Sequence, residues 1–190
     1  MPFDVNVTYK VDLAGGQGRL QEAILYVARR GQDMKYFGAI KLNKILWRGD
    51  FRSFYHRRQP VTGRQYQRLK LGPAPVEMKP VMARMLRDGL LKIEKRRIID
   101  YKEDRAIPLA EPMMKFFSPD DIEYLDESIQ HYWDMTGAET SDESHGMAWR
   151  SRNDGDPIPY EGAFFEDAPL NEAALDHFAK LGRHSGWKSA

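Results

Sequence analysis

Cysteine is absent from the 190 residues, which excludes a disulfide framework, a thiolate zinc site and a cysteine nucleophile. Long apolar runs are missing too: the longest, Ala23 to Ala28, falls far short of the ~18 residues a membrane span requires. Met1-Pro2-Phe3-Asp4 shows neither the basic nor the apolar stretch of a signal peptide, so a soluble, cytoplasmic protein is expected. Histidine is scattered at 56, 131, 145, 177 and 184, with no pair at the i, i+4 spacing of a helical zinc site. No metal or cofactor is expected, and internal repeats and low-complexity tracts are lacking. The length suffices to bury a core within a single domain spanning 1–190.

Net charge is nearly absent as well, at +1, but its distribution is uneven. Residues 29–105 hold 21 basic against 8 acidic side chains, and residues 106–190 hold 6 against 17. Either the basic part meets a polyanion, or the two parts face one another or a dipolar partner.

Alternation of Phe3, Val5, Val7, Tyr9 and Val11 with polar residues predicts an N-terminal strand. Gly15-Gly16-Gln17-Gly18 then breaks it. That run lacks the Lys-Ser/Thr pair of a phosphate loop and the third glycine of a dinucleotide fingerprint, so it reads as a flexible strand-to-helix turn. Leu20, Ile24, Val27 and Ala28 predict a helix stopped by Gly31. A second helix is predicted over 36–56, with Leu42, Ile45, Leu46 and Gly49 inward. Lys41, Lys44, Arg48 and Arg52 form a basic stripe along it, interleaved with Trp47, Phe51 and Tyr55. Cations beside flat rings suit nucleic acid or a partner protein; the plain alternative is a solvated face whose stems cover apolar surface.

Pro60, Gly63, Gly72, Pro73 and Pro75 exclude a helix between 57 and 76. A third helix over 76–88 precedes a hairpin near 90–109, with Lys95-Arg96-Arg97 at its turn. Helix and basic hairpin together resemble a winged helix, although Lys79, Arg84 and Arg87 are that helix's only cations. Ser118-Pro119-Asp120-Asp121 marks a helix start, followed by Ile122, Leu125, Ile129 and Trp133 on one face. The acids of that helix read as a solvated surface, or as a docking surface for a basic partner. Thr140 and Glu143 stand in capping-box spacing ahead of a short helix carrying His145 and Trp149. Ser141, Ser144 and His145 lack a strand-turn-helix elbow, so no catalytic constellation is read from them. A mostly looped extension, 151–190, ends in one helix whose Ala174, Phe178 and Leu181 dock inward. The fold class is α+β, mainly α-helical, with a small antiparallel β element that the N-terminal strand could join.

One arrangement is more specific than any of these motifs. Phe37-Gly38-Ala39-Ile40-Lys41-Leu42-Asn43-Lys44-Ile45-Leu46-Trp47 is followed by Asp50 and Phe51, then Pro60-Val61-Thr62-Gly63, Gly72-Pro73-Ala74-Pro75, and far downstream Ser144-His145 with Trp149. This order resembles the SocA-like antitoxin domain, also called Panacea and met in phage-associated proteins, over roughly residues 20–150. Trp47 stands where a Tyr or Phe is usual, and Arg48-Gly49 where a small apolar pair is usual.

The resemblance implies a mainly helical, non-catalytic antitoxin that neutralises a toxin encoded by an adjacent gene. It also implies that some members act as adaptors delivering the toxin to a cytoplasmic AAA+ protease. A DNA-binding regulator is the alternative. On this reading Lys41, Lys44, Trp47, Arg48 and Tyr55 are the expected toxin contacts. Asn43, Asp50, Gly63, Gly72, Pro73, Pro75, His145 and Trp149 carry the structural motif, with the Asn43 amide expected to hold the Gly72 bend against the helix.

Overall fold

The computed structural model describes residues 7–98 and 101–165. In chain order the elements are α1 (Gly18–Arg30), α2 (Ala39–Arg57), β1 (Tyr66–Gln67), β2 (Ala74–Pro75), α3 (Met78–Arg87), β3 (Leu91–Ile98), β4 (Tyr101–Pro108), α4 (Pro119–His131), α5 (Gly137–Glu143), α6 (Met147–Arg150), β5 (Pro157–Ile158) and a closing 3-10 turn, Tyr160–Phe164. The fold is mainly helical α+β, as its sequence pattern predicts.

Helix α2 is the hub. Its Leu42, Ile45 and Leu46 pack with Leu20, Ile24 and Val27 of α1, Val81 and Met85 of α3, and Leu125 and Ile129 of α4 in one apolar core. Around its second half, Trp47, Phe51 and Phe54 join Tyr66, Ile158 and Tyr160 in a separate aromatic core. The second core is closed by a small antiparallel sheet of order β2-β1-β5. Its strands are two residues long and drawn from distant segments, with Tyr66 opposite both Pro75 and Ile158.

The charge segregation resolves within the chain. The acidic helix α4 lies on the basic α1 and α2: Arg19 pairs with Asp121 at 2.9 Å, Arg57 with Asp121 at 2.6 Å, and Arg30 with Asp126 at 3.3 Å. Arg68 pairs further on with Asp154. The acids of α4 are thus only partly a solvated face, since Asp121 is 2 % exposed and bonded from both sides. Its start is as expected: Ser118 accepts from the Asp121 N–H, and the Asp121 side chain accepts from the Ser118 N–H. These bonds satisfy amides that a helix start leaves without partners.

Several expectations need correction. The N-terminal strand does not form over residues 7–11, and the rest of it lies outside the described residues. Here the backbone bonds individually instead of in a ladder: Val11 N–H to Gly63 O at 3.0 Å, Thr8 N–H to the Glu161 carboxylate at 2.9 Å, and Tyr160 N–H to Thr8 O at 2.8 Å. The hairpin is in register from Leu91↔Pro108 to Ile98↔Tyr101, so Lys95, Arg96 and Arg97 lie within β3 and not at the turn. The second capping box belongs to Thr136 and Glu139, which start α5; Thr140 and Glu143 sit inside that helix. The expected helix after Asn171 lies outside the described residues.

The hairpin is fastened by a buried ion pair. Arg105 donates to Glu103 at 2.7 Å and to Met34 O at 2.7 Å, while Glu103 accepts the Phe37 N–H at 2.6 Å. This holds the hairpin against the loop that leads into α2.

Candidate functional site

The stripe expected to face a partner is largely inside the protein. Lys41 is 1 % and Lys44 2 % exposed, because α5 and the bend before α3 cover the flank of α2 that carries them. Lys41 Nζ donates to Trp133 O at 3.3 Å, and Lys44 Nζ to Pro73 O at 2.8 Å. Lys41 and Lys44 therefore do not offer their charges to a docking partner in this structure. Their stems reach over the core and their ammonium groups end on buried carbonyls.

Lys44 does the work assigned to Asn43. The Asn43 amide turns back on its own helix and donates to Ala39 O at 2.9 Å, so it does not reach the bend. At the bend Gly72 has φ +92°, and a Cβ there would lie 2.3 Å from Ser144 Oγ and 2.6 Å from Lys44 Cε. The conformation and the space both require glycine. Gly72, Pro73, Lys44 and Ser144 thus form one closed knot, and Pro75 continues it into the small sheet.

Burial lowers the Lys44 pKa to about 7, against the ordinary value of about 10.4 for lysine. Between these values the unfolded chain holds a proton that the folded chain has released. Folding should therefore gain about 1.4 kcal/mol per pH unit from this residue as pH rises from about 7 towards 10. Urea unfolding of wild type and Lys44→Met at pH 7 and pH 9 checks this. The variant should lose most of the rise, and equal slopes would refute the assignment.

Asp50 holds a second knot. Fully buried, it accepts from the Thr62 N–H at 2.5 Å, the Tyr66 hydroxyl at 2.9 Å and, more weakly, the Tyr160 hydroxyl at 3.4 Å, as well as from the Thr62 hydroxyl. Gly63 follows with φ +70°, its Cα so close to Val11 O that a Cβ would come within 2.2 Å. Asp50 and Gly63 thus sit in the scaffold.

Arg48 and Tyr55 remain accessible, and Tyr55 is 51 % exposed. With Trp47, Arg52, Tyr132 and Trp149 they line a groove of about 330 Å³ between α2, α6 and the closing turn. Trp47 is buried but shows an edge to this groove. Trp149 is fixed on the far wall: it stacks on His145 at 4.0 Å, donates to Leu69 O at 2.9 Å, and lies under the Arg68 guanidinium at 3.9 Å. Burial lowers the His145 pKa, with Lys44 adding to the effect. Arg48 comes no nearer than 3.9 Å to Glu143, and Arg52 no nearer than 4.0 Å to Glu127. The Nε atoms of both arginines are covered and make no hydrogen bond among the described residues.

The groove therefore gathers Trp47, Arg48 and Tyr55 from one helix with Trp149 from about a hundred residues downstream, and leaves Lys41 and Lys44 behind. Tyr132, Met147 and Phe165 also line it, and no spacing in the sequence signals their arrival. Among the described residues, no three of His, Asp and Glu converge as a metal site, and no helix is long and apolar enough to cross a membrane.

Buried lysine and aspartate on one central helix thus organise a helical body with an aromatic and arginine-lined groove beside it. The family model described as antitoxin SocA-like, Panacea domain, matches residues 42–150, a span that runs from Leu42 of α2 to the end of α6. The chain belongs to this family. No curated protein and no solved structure gives a match.

Proposed function

We propose that this chain is an antitoxin that neutralises a cognate toxin, encoded by an adjacent gene, through direct protein contact at the α2–α6 groove. The observation that carries this reading is the groove's composition: flat rings of Trp47, Tyr55 and Trp149 around Arg48 and Arg52, whose carboxylate partners stand 3.9 and 4.0 Å away. Tyr, Trp and Arg dominate the energetics of protein interfaces, and a guanidinium without a close carboxylate gains from one supplied by a partner. Arg48, Arg52, Tyr55 and Trp149 are the proposed contacts, with Trp47 supporting them from below.

Co-expression with the neighbouring gene product tests the reading. Wild type should restore growth, and Arg48→Glu combined with Trp149→Ala should fail to do so while melting as a folded protein, with toxin affinity reduced at least about tenfold. A neighbour that is not toxic, or is relieved equally by the variant, would refute it. Delivery to an AAA+ protease is the finer form of the proposal, and it requires that the toxin's half-life shorten when this chain is present. Against the DNA-binding alternative stands α3: Val81 and Met85 are buried and Arg84 is bonded to Gln17 at 2.8 Å. Lys79 and Arg87 are left to read a groove in DNA, too few cations for a recognition helix.

A further inference from the structure

A second furrow lies on the opposite end of α2 and shares no lining residue with the α2–α6 groove. Its first half is an apolar chamber of about 410 Å³ between α2, α3 and the hairpin, floored by Leu42, Met78, Met82 and Ala106. Leu86 and Ile93 stand at its mouth, 42 % and 36 % exposed. Its second half, of about 630 Å³, runs along the hairpin past Lys95, Arg96 and Lys102. Gly38, Ala39 and Asp104 border both halves, so the apolar chamber opens directly onto the basic strands.

We propose that this furrow is a second docking site, which takes a segment of a protein partner carrying apolar side chains next to carboxylates. Two observations converge on that chemistry. Exposed Leu86 and Ile93 beside a methionine-lined cleft form a surface that gains by being covered, and methionine adapts its shape to what enters. Beside it, Lys95 and Lys102 are exposed on neighbouring strands of the hairpin; Arg96 is paired with Glu94 and Asp104 stands opposite Lys95, but the cations lining this half outnumber its one carboxylate, and such a field favours a negative partner.

Nucleic acid fits less well. Phe37 is the one aromatic residue among the furrow's lining residues and is 1 % exposed, so no ring face is offered for a base to stack on.

Selection of short random displayed peptides on the full-length protein tests this without reference to any toxin. The enriched peptides should place Leu, Ile, Phe or Met next to Asp or Glu. Leu86→Glu should weaken their binding at least about tenfold by putting a charge at the chamber mouth. Ala83→Glu, at an exposed helical position on the same wall, should do likewise and guards against loss of fold in the first variant. Lys95→Glu with Lys102→Glu should also weaken binding and flatten its salt dependence, while Arg48→Glu should leave it unchanged. Failure to enrich any peptide, enrichment of peptides without acids, or binding that survives the furrow variants would overturn the proposal. So would a short DNA duplex retained by wild type and lost with Lys95→Glu when no acidic peptide is selected. Because Arg48→Glu probes the other groove, failure here leaves the antitoxin reading separately testable.

Discussion

Replacing Asp50 by alanine is expected to lower the unfolding free energy by about 3–5 kcal/mol. The carboxylate is the shared acceptor for the Thr62 N–H, the Thr62 hydroxyl, and the Tyr66 and Tyr160 hydroxyls. The ionised group is not stable in its own right: burial pushes its pKa up to about 6, even though the bonds from Thr62, Tyr66 and Tyr160 pull the other way. Stability comes from the donors it satisfies, and alanine leaves several of them covered by protein with nothing to bond to. Tyr66, which belongs to the small sheet, loses its acceptor and should loosen, exposing Trp47 and Phe51, whereas the Tyr160 hydroxyl keeps its 2.6 Å bond to Arg64 O. Urea unfolding followed by tryptophan fluorescence measures this, and a loss below about 1 kcal/mol would refute it. The pH dependence has a defined sign. A folded pKa raised above the unfolded value stabilises the protein fully below about pH 4, and this contribution is lost as pH rises through about 6. In Asp50→Ala that part of the profile should be absent.

The second large effect is at Asp121, where alanine should again cost about 3–5 kcal/mol. Arg19, 3 % exposed, would keep its bonds to Val61 O at 2.6 and 2.8 Å but lose its only carboxylate among the described residues. Arg57 would lose its 2.6 Å partner, and the Ser118 N–H its acceptor at the start of α4. Burial raises the Asp121 pKa, but the bonds from Arg57, the Ser118 N–H and Arg19 outweigh it and hold the carboxyl below its ordinary value. The resulting stability is present above the unfolded pKa of about 3.9 and lost as pH falls through the folded one. Acid unfolding of Asp121→Ala should therefore be shallower than that of wild type. Chemical melts between pH 2 and pH 7 check both the size and the slope, and an unchanged acid limb would count against the ion pairs.

The two results would act on different joints of the same hub. Asp50 ties α2 to the loop and closing turn behind the candidate groove, and Asp121 ties α1 and α2 to the acidic half of the chain. Residues named for their place in the family motif thus serve mainly to hold α2 among its neighbours, and the accessible groove is built on that frame.

Much of this was legible beforehand. The three- and four-residue spacing of Leu20, Ile24 and Val27, the Ser118-Pro119-Asp120-Asp121 start and the hairpin after Gly89 are local patterns, and local patterns survive folding. The motif order from Lys41 to Trp149 was legible too, because a family motif is a property of sequence. That Lys44 and not Asn43 holds the bend has a geometric reason. The two are adjacent, but successive helical residues point about 100° apart, and only the longer lysine reaches the bend. Thr136-x-x-Glu139 and Thr140-x-x-Glu143 have the same spacing, and only the folded chain shows that Thr136 starts the helix.

By itself the sequence determined the helices, the hairpin, the family and the uneven charge, since each depends on spacing or composition along the chain. Only the tertiary structure decided which way the charge is spent. A periodic pattern shows that Lys41, Lys44, Arg48 and Arg52 share one edge of α2, but not that a helix a hundred residues later covers half of it. That covering turns the two lysines into internal braces, while the packing of α4 on α1 and α2 makes Asp121 a buried clasp. It leaves Arg48, Arg52 and Tyr55 facing Trp149 across an open groove.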